Sequence, residues 1–166
     1  CARTMTDLES LSVECPAGRI IPHVLDITDE AATRAVLSAI ENQSGVPDLA
    51  VLNAGTHLPN LAAELKIKPF RDLMETNYMG TVSGLVLIQE RMRAQGKGHI
   101  AVVSSLAGYR GLPGASAYGA SKAALTNMCE ALKPELDVLG IKLQLINPGF
   151  VETPLTDKNK FKMPFL

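Results

Sequence analysis

A tyrosine and a lysine four residues apart, Tyr118 and Lys122, stand in a segment with the composition of a helix. Residues at positions i and i+4 share one helix face, so this spacing places a phenol beside an ammonium group. Two serines, Ser104 and Ser105, end the apolar run that precedes the segment. Such a set can move a proton onto or off an oxygen, because the phenol donates, the ammonium stabilises the phenolate and a hydroxyl holds the reacting oxygen. Taken alone, the pair is better explained as two surface or half-buried neighbours on an ordinary helix.

The composition indicates a globular chain with no electrostatic basis for binding nucleic acid. The 166 residues are 46% hydrophobic and 20% charged, which allows a sizeable core and is unlike a disordered chain. The net charge is −1 and no basic block occurs. The cysteines are unclustered, which favours neither a disulfide framework nor a zinc site and fits a reducing compartment: Cys1, Cys15 and Cys129. We therefore expect a cytoplasmic protein with a small-molecule partner, without a metal, a nucleic acid or an evident membrane partner.

Apolar strand-like runs alternate with helical patterns along the chain. The predicted strands are 1–3, 19–25, 48–53, 99–104 and 141–146, and the predicted helices begin at Thr6 or cover 30–43, 70–93 and 116–139. This alternation predicts a parallel sheet with helices on both faces and right-handed crossovers. Ligands bind such sheets at the carboxyl ends of the strands. Polar or small residues follow four of these strands and should share one rim: Asp26, Asn53, the serine pair, and Pro148 with Gly149.

Further motifs in a fixed order make the tyrosine–lysine pair specific. An Asn-Ala-Gly motif at 53–55 follows the third strand, Ser105 precedes Tyr118 by thirteen residues, and an Asn-Pro-Gly motif at 147–149 closes the last strand. Together these residues resemble the short-chain dehydrogenase/reductase family, and the resemblance runs from Arg3 to about Thr156. It implies an α/β fold with a Rossmann-type, doubly wound parallel sheet. It also implies a cofactor, NAD(H) or NADP(H), and exchange of a hydride between a carbonyl and an alcohol.

The resemblance implies four catalytic residues: Asn77, Ser105, Tyr118 and Lys122. Ser105 would orient the substrate oxygen and Tyr118 would transfer the proton, so both are expected to contact substrate. The pKa of a phenol is ordinarily about three units above neutral pH. Forming the phenolate that alcohol oxidation needs therefore costs about 4 kcal/mol at neutral pH. Lys122 would lower that pKa and hold the nicotinamide ribose. Asn77 would help to hold a water that links the lysine to solvent, whereas without the resemblance it is better explained as a polar helix residue facing a neighbour.

The family likeness also implies the cofactor contacts. Besides Tyr118 and Lys122, these are Arg3, Asp26, Ile27, Asn53, Ala54, Gly55, Pro148, Gly149, Val151 and Thr153. The first six belong to the adenosine end and the last four to a clamp on the nicotinamide carboxamide. Arg3 stands where an NADP-preferring member carries a base for the 2′-phosphate, and a guanidinium suits that group. We therefore expect NADP(H) in preference to NAD(H). The alternatives are a solvated terminal arginine at Arg3 and a helix-entry turn at Asp26.

Two parts of the family pattern do not occur in these residues. The glycine-rich turn after the first strand is expected before Cys1, and the last strand is expected after Leu166. We therefore interpret residues 1–166 as a single, partial NAD(P)-binding Rossmann-type domain of a longer protein. Its first strands should not pair with its last three, because the absent strand normally lies between them. These residues alone should neither fold cooperatively nor bind nucleotide; a sharp thermal transition stabilised by NADPH would contradict this.

Several interpretations stay open at this point. A nucleotide-binding sensor or scaffold without turnover is the alternative to an oxidoreductase. The two long helices, 70–93 and 116–139, are those by which family members often pair, so a homodimer or homotetramer is expected. His57 is interpreted as an ordinary loop histidine, and the alternative is that it faces substrate. The loop at 108–114 is mostly apolar and favours a substrate with some apolar character.

Overall fold

The computed structural model describes residues 1–13, 15 and 20–153, and its centre is a three-stranded parallel sheet of order β1-β2-β3. The strands are β1 (Leu49–Leu52), β2 (Gly98–Val103) and β3 (Ile141–Ile146). The α-helices are α1 (Met5–Val13), α2 (Glu30–Ser44), α3 (Ile67–Leu73), α4 (Gly80–Gln95) and α5 (Ser116–Val138). A π-helix (Met74–Met79) joins α3 to α4, and two 3₁₀ turns cover Ala62–Glu64 and Leu106–Gly108. The predicted α/β class and parallel sheet are confirmed.

The main core lies between the sheet and the two longest helices. Ile100 of β2 pairs in register with Ala50 and Leu143, so apolar side chains from three strands share one face. That face packs against α4 and α5 through Leu85, Ile88, Met92, Leu125, Cys129 and Leu136. The core therefore fixes β2 against the start of α5, the two elements that carry the predicted chemistry.

The prediction that the strand at 48–53 is buried on both faces is wrong. Leu49 is 51% exposed and Val51 is 54% exposed. In the described part of the chain, β1 is an edge strand with β2 as its only strand neighbour. A cavity of about 410 Å³ lies beside it, lined by parts of α2 and α4 and by Cys1, Leu25 and Ile27.

The strand predicted at 19–25 is reduced to an isolated parallel bridge between Ala2 and Val24. The Leu25 N–H donates to the Ala2 carbonyl at 2.9 Å, while Pro22 has no N–H to extend the ladder. Arg19 lies outside the described residues. The bridge does not join the three-stranded sheet, as expected. Two short strands alone are marginally stable, which explains why the pairing stops there.

Capping residues predicted the start of α2 correctly but not the start of α1. Asp29 caps α2, as one of the two predicted candidates, by accepting a hydrogen bond from the Ala32 N–H at 2.9 Å. The first helix begins at Met5, ahead of the predicted cap Thr6. Helix α5 continues through Pro134 to Val138.

The single long helix predicted at 70–93 is three consecutive helical segments. The π-helix in the middle contains Asn77, which is completely buried. A π turn inserts an extra residue into a helix and is frequent at functional sites. Here it turns the Asn77 amide toward the loop after β1 and toward α5.

Candidate active site

The carboxyl ends of β2 and β3 meet at one rim of the sheet. The Ser104 N–H donates to the Ile146 carbonyl at 2.8 Å, and the Leu106 N–H donates to the Pro148 carbonyl at 3.1 Å. These two bonds continue the parallel register of the strands beyond their ends. They place the loop that begins at Pro148 beside the loop that carries Ser105, as the rim prediction requires.

Ser105, and not Ser104, faces the phenol. The Ser105 hydroxyl caps the 3₁₀ turn by accepting from the Ala107 N–H at 3.1 Å, and it is hydrogen-bonded to the Tyr118 phenol. The Ser104 hydroxyl points into the protein and donates to the Lys122 carbonyl at 2.9 Å. The sequence spacing therefore selected the serine that the structure brings to Tyr118, while Ser104 joins the end of β2 to α5.

Two glycines allow the 3₁₀ turn to approach α5 this closely. A Cβ on Gly108 would lie 3.0 Å from the Lys122 carbonyl group, and a Cβ on Gly119 would lie 3.0 Å from the Ala107 carbonyl oxygen. Both contacts are with backbone atoms, which cannot swing aside as the end of a side chain can. The contact between Ser105 and Tyr118 therefore depends on the absence of side chains at these two positions.

Burial dominates the ionisation of Tyr118. It raises the pKa of the phenol above its ordinary value of 10.0, and the hydrogen bond from Ser105 acts in the opposite direction. The expected lowering by Lys122 is not dominant, because the Lys122 Nζ is 5.8 Å from the ring centroid. Tyr118 is therefore held in its protonated, proton-donating form across the neutral range.

Lys122 is a buried ammonium group with one fixed partner. Its side chain is nearly inaccessible, with 4% of the residue exposed, and its Nζ donates to the Val103 carbonyl at 2.8 Å. Burial lowers the pKa of Lys122 from 10.5 to about 8. An ammonium has three donors, and the described residues occupy one of those of Lys122, so two remain to bind other groups. A Cβ on Gly55 would lie 3.5 Å from this nitrogen, so the glycine leaves space beside it.

Asn77 joins the loop after β1 to helix α5. Its Oδ1 accepts from the Thr56 N–H at 2.7 Å, and its Nδ2 donates to the Thr56 carbonyl at 2.9 Å and to the Ser121 hydroxyl at 3.0 Å. The Ser121 hydroxyl in turn donates to the Tyr118 carbonyl at 2.7 Å. The amide of Asn77 thereby fixes both the loop and the turn of α5 that carries the phenol.

The predicted adenosine contacts lie at the start of the chain. Asp26 forms the helix-entry turn that was the alternative interpretation: its Oδ1 accepts from the Thr28 N–H at 3.0 Å and hydroxyl at 2.8 Å. These two hydrogen bonds lower the pKa of Asp26, and the positive charge of Arg3 lowers it further. Arg3 therefore lies close enough to Asp26 for an electrostatic attraction, and both side chains are exposed.

The remaining predicted contacts follow β1 and β3. Asn53, Ala54 and Gly55 are exposed, and the cavity beside β1 is lined by Ile27, Asn53 and Ala54 but not by the catalytic candidates. Gly149 and Val151 are also exposed, and the Thr153 hydroxyl donates to the Val151 carbonyl at 3.4 Å. The structure thus groups Ser105, Tyr118, Lys122, Asn77 and Pro148, with the Arg3 and Asp26 pair at a separate position.

The groups at this edge of the sheet fit a nicotinamide dinucleotide. Ile27 and Ala54 offer apolar surface for a base, and the Arg3 guanidinium offers a fork for a phosphate. Gly55 leaves room beside the two free donors of Lys122, which suits a ribose hydroxyl.

Among residues 1–13, 15 and 20–153, no cluster of three His, Cys, Asp or Glu side chains could hold a metal ion. In the same ranges, no helix is long and apolar enough to cross a membrane.

Sequence reasoning missed two residues of this site. Ser121 stands three positions after Tyr118, and i,i+3 spacing on a helix was a signal that it shares the face of the tyrosine. Thr56 takes part through its backbone N–H and carbonyl, and a backbone contact leaves no signature in residue type.

Comparison with known proteins identifies the family. The short chain dehydrogenase family model matches residues 1–163, and the chain belongs to this oxidoreductase family. It is 38% identical over 166 residues to an uncharacterized oxidoreductase of Myxococcus xanthus, covering 99% of this chain and 66% of that protein. It is 32% identical over 154 residues to the 3-oxoacyl-(acyl-carrier-protein) reductase FabG of Thermotoga maritima, covering 92% of this chain and 63% of that protein.

Solved structures place the fold in the same family. A short-chain dehydrogenase from Streptomyces avermitilis superposes with a TM-score of 0.84 at 31% identity, covering 92% of this chain and 56% of that one. The chain therefore has a Rossmann-like fold and spans roughly two thirds or less of the length of these relatives.

Proposed function

We propose that the full-length protein transfers a hydride between NADP(H) and a ketone or secondary alcohol. The observation that carries the proposal is the grouping of three side chains at one rim: the Ser105 hydroxyl, the half-buried Tyr118 phenol bonded to it, and the buried Lys122 ammonium, whose Nζ lies 5.8 Å from the centre of that ring. The reductase name of the Thermotoga maritima relative supports the carbonyl as the group reduced.

Each residue has a task that follows from its surroundings. NADP(H) supplies or accepts the hydride when it is bound. Ser105 holds the substrate oxygen and stabilises the negative charge that develops on it. Tyr118 donates its proton to that oxygen, and its raised pKa keeps the proton available. Lys122 uses its two unoccupied donors on the nicotinamide ribose, and its charge stabilises the phenolate once the proton has left.

Turnover with a panel of ketones tests this proposal directly. The full-length protein should oxidise NADPH at 340 nm in the presence of at least some ketones and not in their absence. A protein that binds NADPH with micromolar affinity but oxidises none of it with any ketone, and reduces no NADP⁺ with the matching alcohols, would instead be a nucleotide-binding sensor or scaffold.

Replacing Arg3 by alanine tests the proposed preference for NADP(H). The KM for NADPH should rise about tenfold or more, since a charge-assisted bond to the 2′-phosphate contributes roughly 1.5–3 kcal/mol. The KM for NADH should change less than about twofold, because NADH lacks that phosphate. Arg34→Ala removes another exposed arginine, paired with Glu30 at 3.3 Å, and is the matched control. Equal losses with NADPH and NADH would contradict the role of Arg3.

The rate of ketone reduction should fall as the pH rises through about 8. Burial lowers the pKa of Lys122 to about 8, so the side chain is a charged ammonium below that pH and a neutral amine above it. Tyr118, whose pKa is raised above 10.0, still carries its proton there. Log kcat/KM should therefore be level below about pH 7 and decline with a slope near −1 above pH 8.

The Lys122→Arg variant is the control for this profile. A guanidinium stays charged throughout the range, so the decline near pH 8 should disappear even where the rate is lower at every pH. A decline that stays near pH 8 in this variant would assign the titration to another group.

A further inference from the structure

His57 lies against the ring of the proposed proton donor. The imidazole and the Tyr118 ring have centroids 5.1 Å apart and planes at 71°, an edge-to-face contact. His57 is buried, with 9% of the residue exposed, although it stands in the loop after β1 where sequence favoured an ordinary loop histidine. Aromatic pairs prefer this geometry to a face-to-face stack, so the contact selects one orientation of the phenol ring.

The backbone beside His57 is fixed from two sides. Its neighbour Thr56 is held by Asn77 through both of its backbone groups, at 2.7 and 2.9 Å. The same amide donates to Ser121, whose hydroxyl donates to the Tyr118 carbonyl. The imidazole and the phenol therefore both extend from backbone tied to Asn77, which sets the distance between the two rings.

We propose that His57 is a positioning residue for Tyr118, holding the phenol toward Ser105 through the contact of the two rings and through the Asn77 link behind them. The proposal deepens the proposed function and rests on it. The role belongs to the ring as a packing surface, and the nitrogen atoms of the imidazole are not part of it. A phenylalanine at this position should then serve, whereas an alanine should not.

Steady-state kinetics of the full-length protein separate the ring from its nitrogens. His57→Ala should lower kcat about tenfold or more, since small misplacements of a reacting group have large effects on rate, with a KM for NADPH within about twofold of wild type. His57→Phe should stay within about threefold of wild-type kcat because it keeps the edge-to-face contact. His99→Ala is the matched control. His99 is hydrogen-bonded to Gln144 at 3.0 Å and is the second residue of β2, at the end of the strand away from Ser105.

Titration of the phenol gives a readout that does not require turnover. Tyr118 is isolated as the difference in absorbance near 295 nm between each protein and its Tyr118→Phe counterpart. Because His57 contributes to the burial of the ring, His57→Ala should lower the pKa of the phenol, while His57→Phe and His99→Ala should leave it unchanged. Within the described part of the chain, the titratable side chains beside the ring are His57 and Lys122, and Lys122 is present in every variant.

The results for the His57 variants either support or overturn the positioning role. Loss of kcat in both His57 variants would mean that an imidazole nitrogen is needed, which overturns the proposal. Wild-type kcat and an unshifted phenol pKa in His57→Ala would also overturn it. If the wild-type protein reduces no ketone, the proposed function fails, but a phenol pKa lowered in His57→Ala and kept in His57→Phe still supports the positioning contact. If His57→Ala does not fold, His57→Leu replaces it, since leucine fills the space without a ring.

Discussion

Replacing Tyr118 by phenylalanine should lower kcat for ketone reduction by about 10²–10⁴-fold, the contribution typical of a positioned general acid. The substitution removes one oxygen and keeps the ring. The edge-to-face contact with His57 therefore survives, and so does the backbone bond from Ser121 to residue 118. The Ser105 hydroxyl loses its phenol partner but is only half-buried and can bond to water. The Kd for NADPH, measured by fluorescence titration, should change less than about threefold, since the ring and Lys122 stay in place.

Tyr78→Phe is the matched control for this experiment. Tyr78 is another half-buried tyrosine, packed against the main core, and loss of its hydroxyl should leave kcat within about twofold. Undiminished turnover in Tyr118→Phe would remove the phenol from the chemistry. A large loss of NADPH affinity in that variant would instead make the hydroxyl a binding group.

Replacing Asn77 by alanine should destabilise the protein by about 3 kcal/mol, because buried polar groups that lose a partner each cost about 1–3 kcal/mol. The amide makes three hydrogen bonds inside the protein, two to the Thr56 backbone and one to Ser121. Asn77 is completely buried, so water does not readily replace them. Turnover should fall with the loss of order in the loop that carries His57 and in the turn that carries Tyr118. The free energy of unfolding in urea and kcat measure the two effects.

Gln95→Ala is the amide control for Asn77. Gln95 donates to the Lys97 carbonyl at 3.0 Å on the surface, and its removal should change the unfolding free energy by no more than about 0.5 kcal/mol. If Asn77→Ala unfolds like wild type and yet loses turnover, the amide acts on substrate, cofactor or water, and its hydrogen bonds to Thr56 and Ser121 are incidental.

The predicted strands and helices were right where a single segment carries its own pattern. The apolar runs at 99–104 and 141–146 are β2 and β3 within a residue at each end, because their burial follows directly from composition. The prediction of a strand at 19–25 failed because a strand needs a partner, and among the described residues 20–25 only Val24 forms a β-bridge. The π turn around Asn77 was missed because it has no sequence period of its own.

The sequence likewise predicted part of the candidate site and not the rest. The spacing and order of the motifs selected Ser105, Tyr118 and Lys122, which the fold brings together. The shift in the pKa of Tyr118 was predicted in the wrong direction, since the charge of Lys122 is visible in the sequence while burial is set by tertiary packing. The contact of His57 with Tyr118 was also not predicted, because it joins two loops through a ring orientation that no local pattern encodes.

Transfer of deuterium from NADPH labelled at C4 of the nicotinamide tests whether the protein moves a hydride from the cofactor to a ketone. The full-length protein is incubated with the labelled cofactor and a ketone that it reduces, and the alcohol is analysed by mass spectrometry. When the label is at the transferred position, we expect one deuterium on the carbinol carbon and none on the hydroxyl, because the hydroxyl proton comes from Tyr118 and exchanges with water. No alcohol with any ketone, or alcohol without deuterium from either C4 epimer of the cofactor, would contradict it.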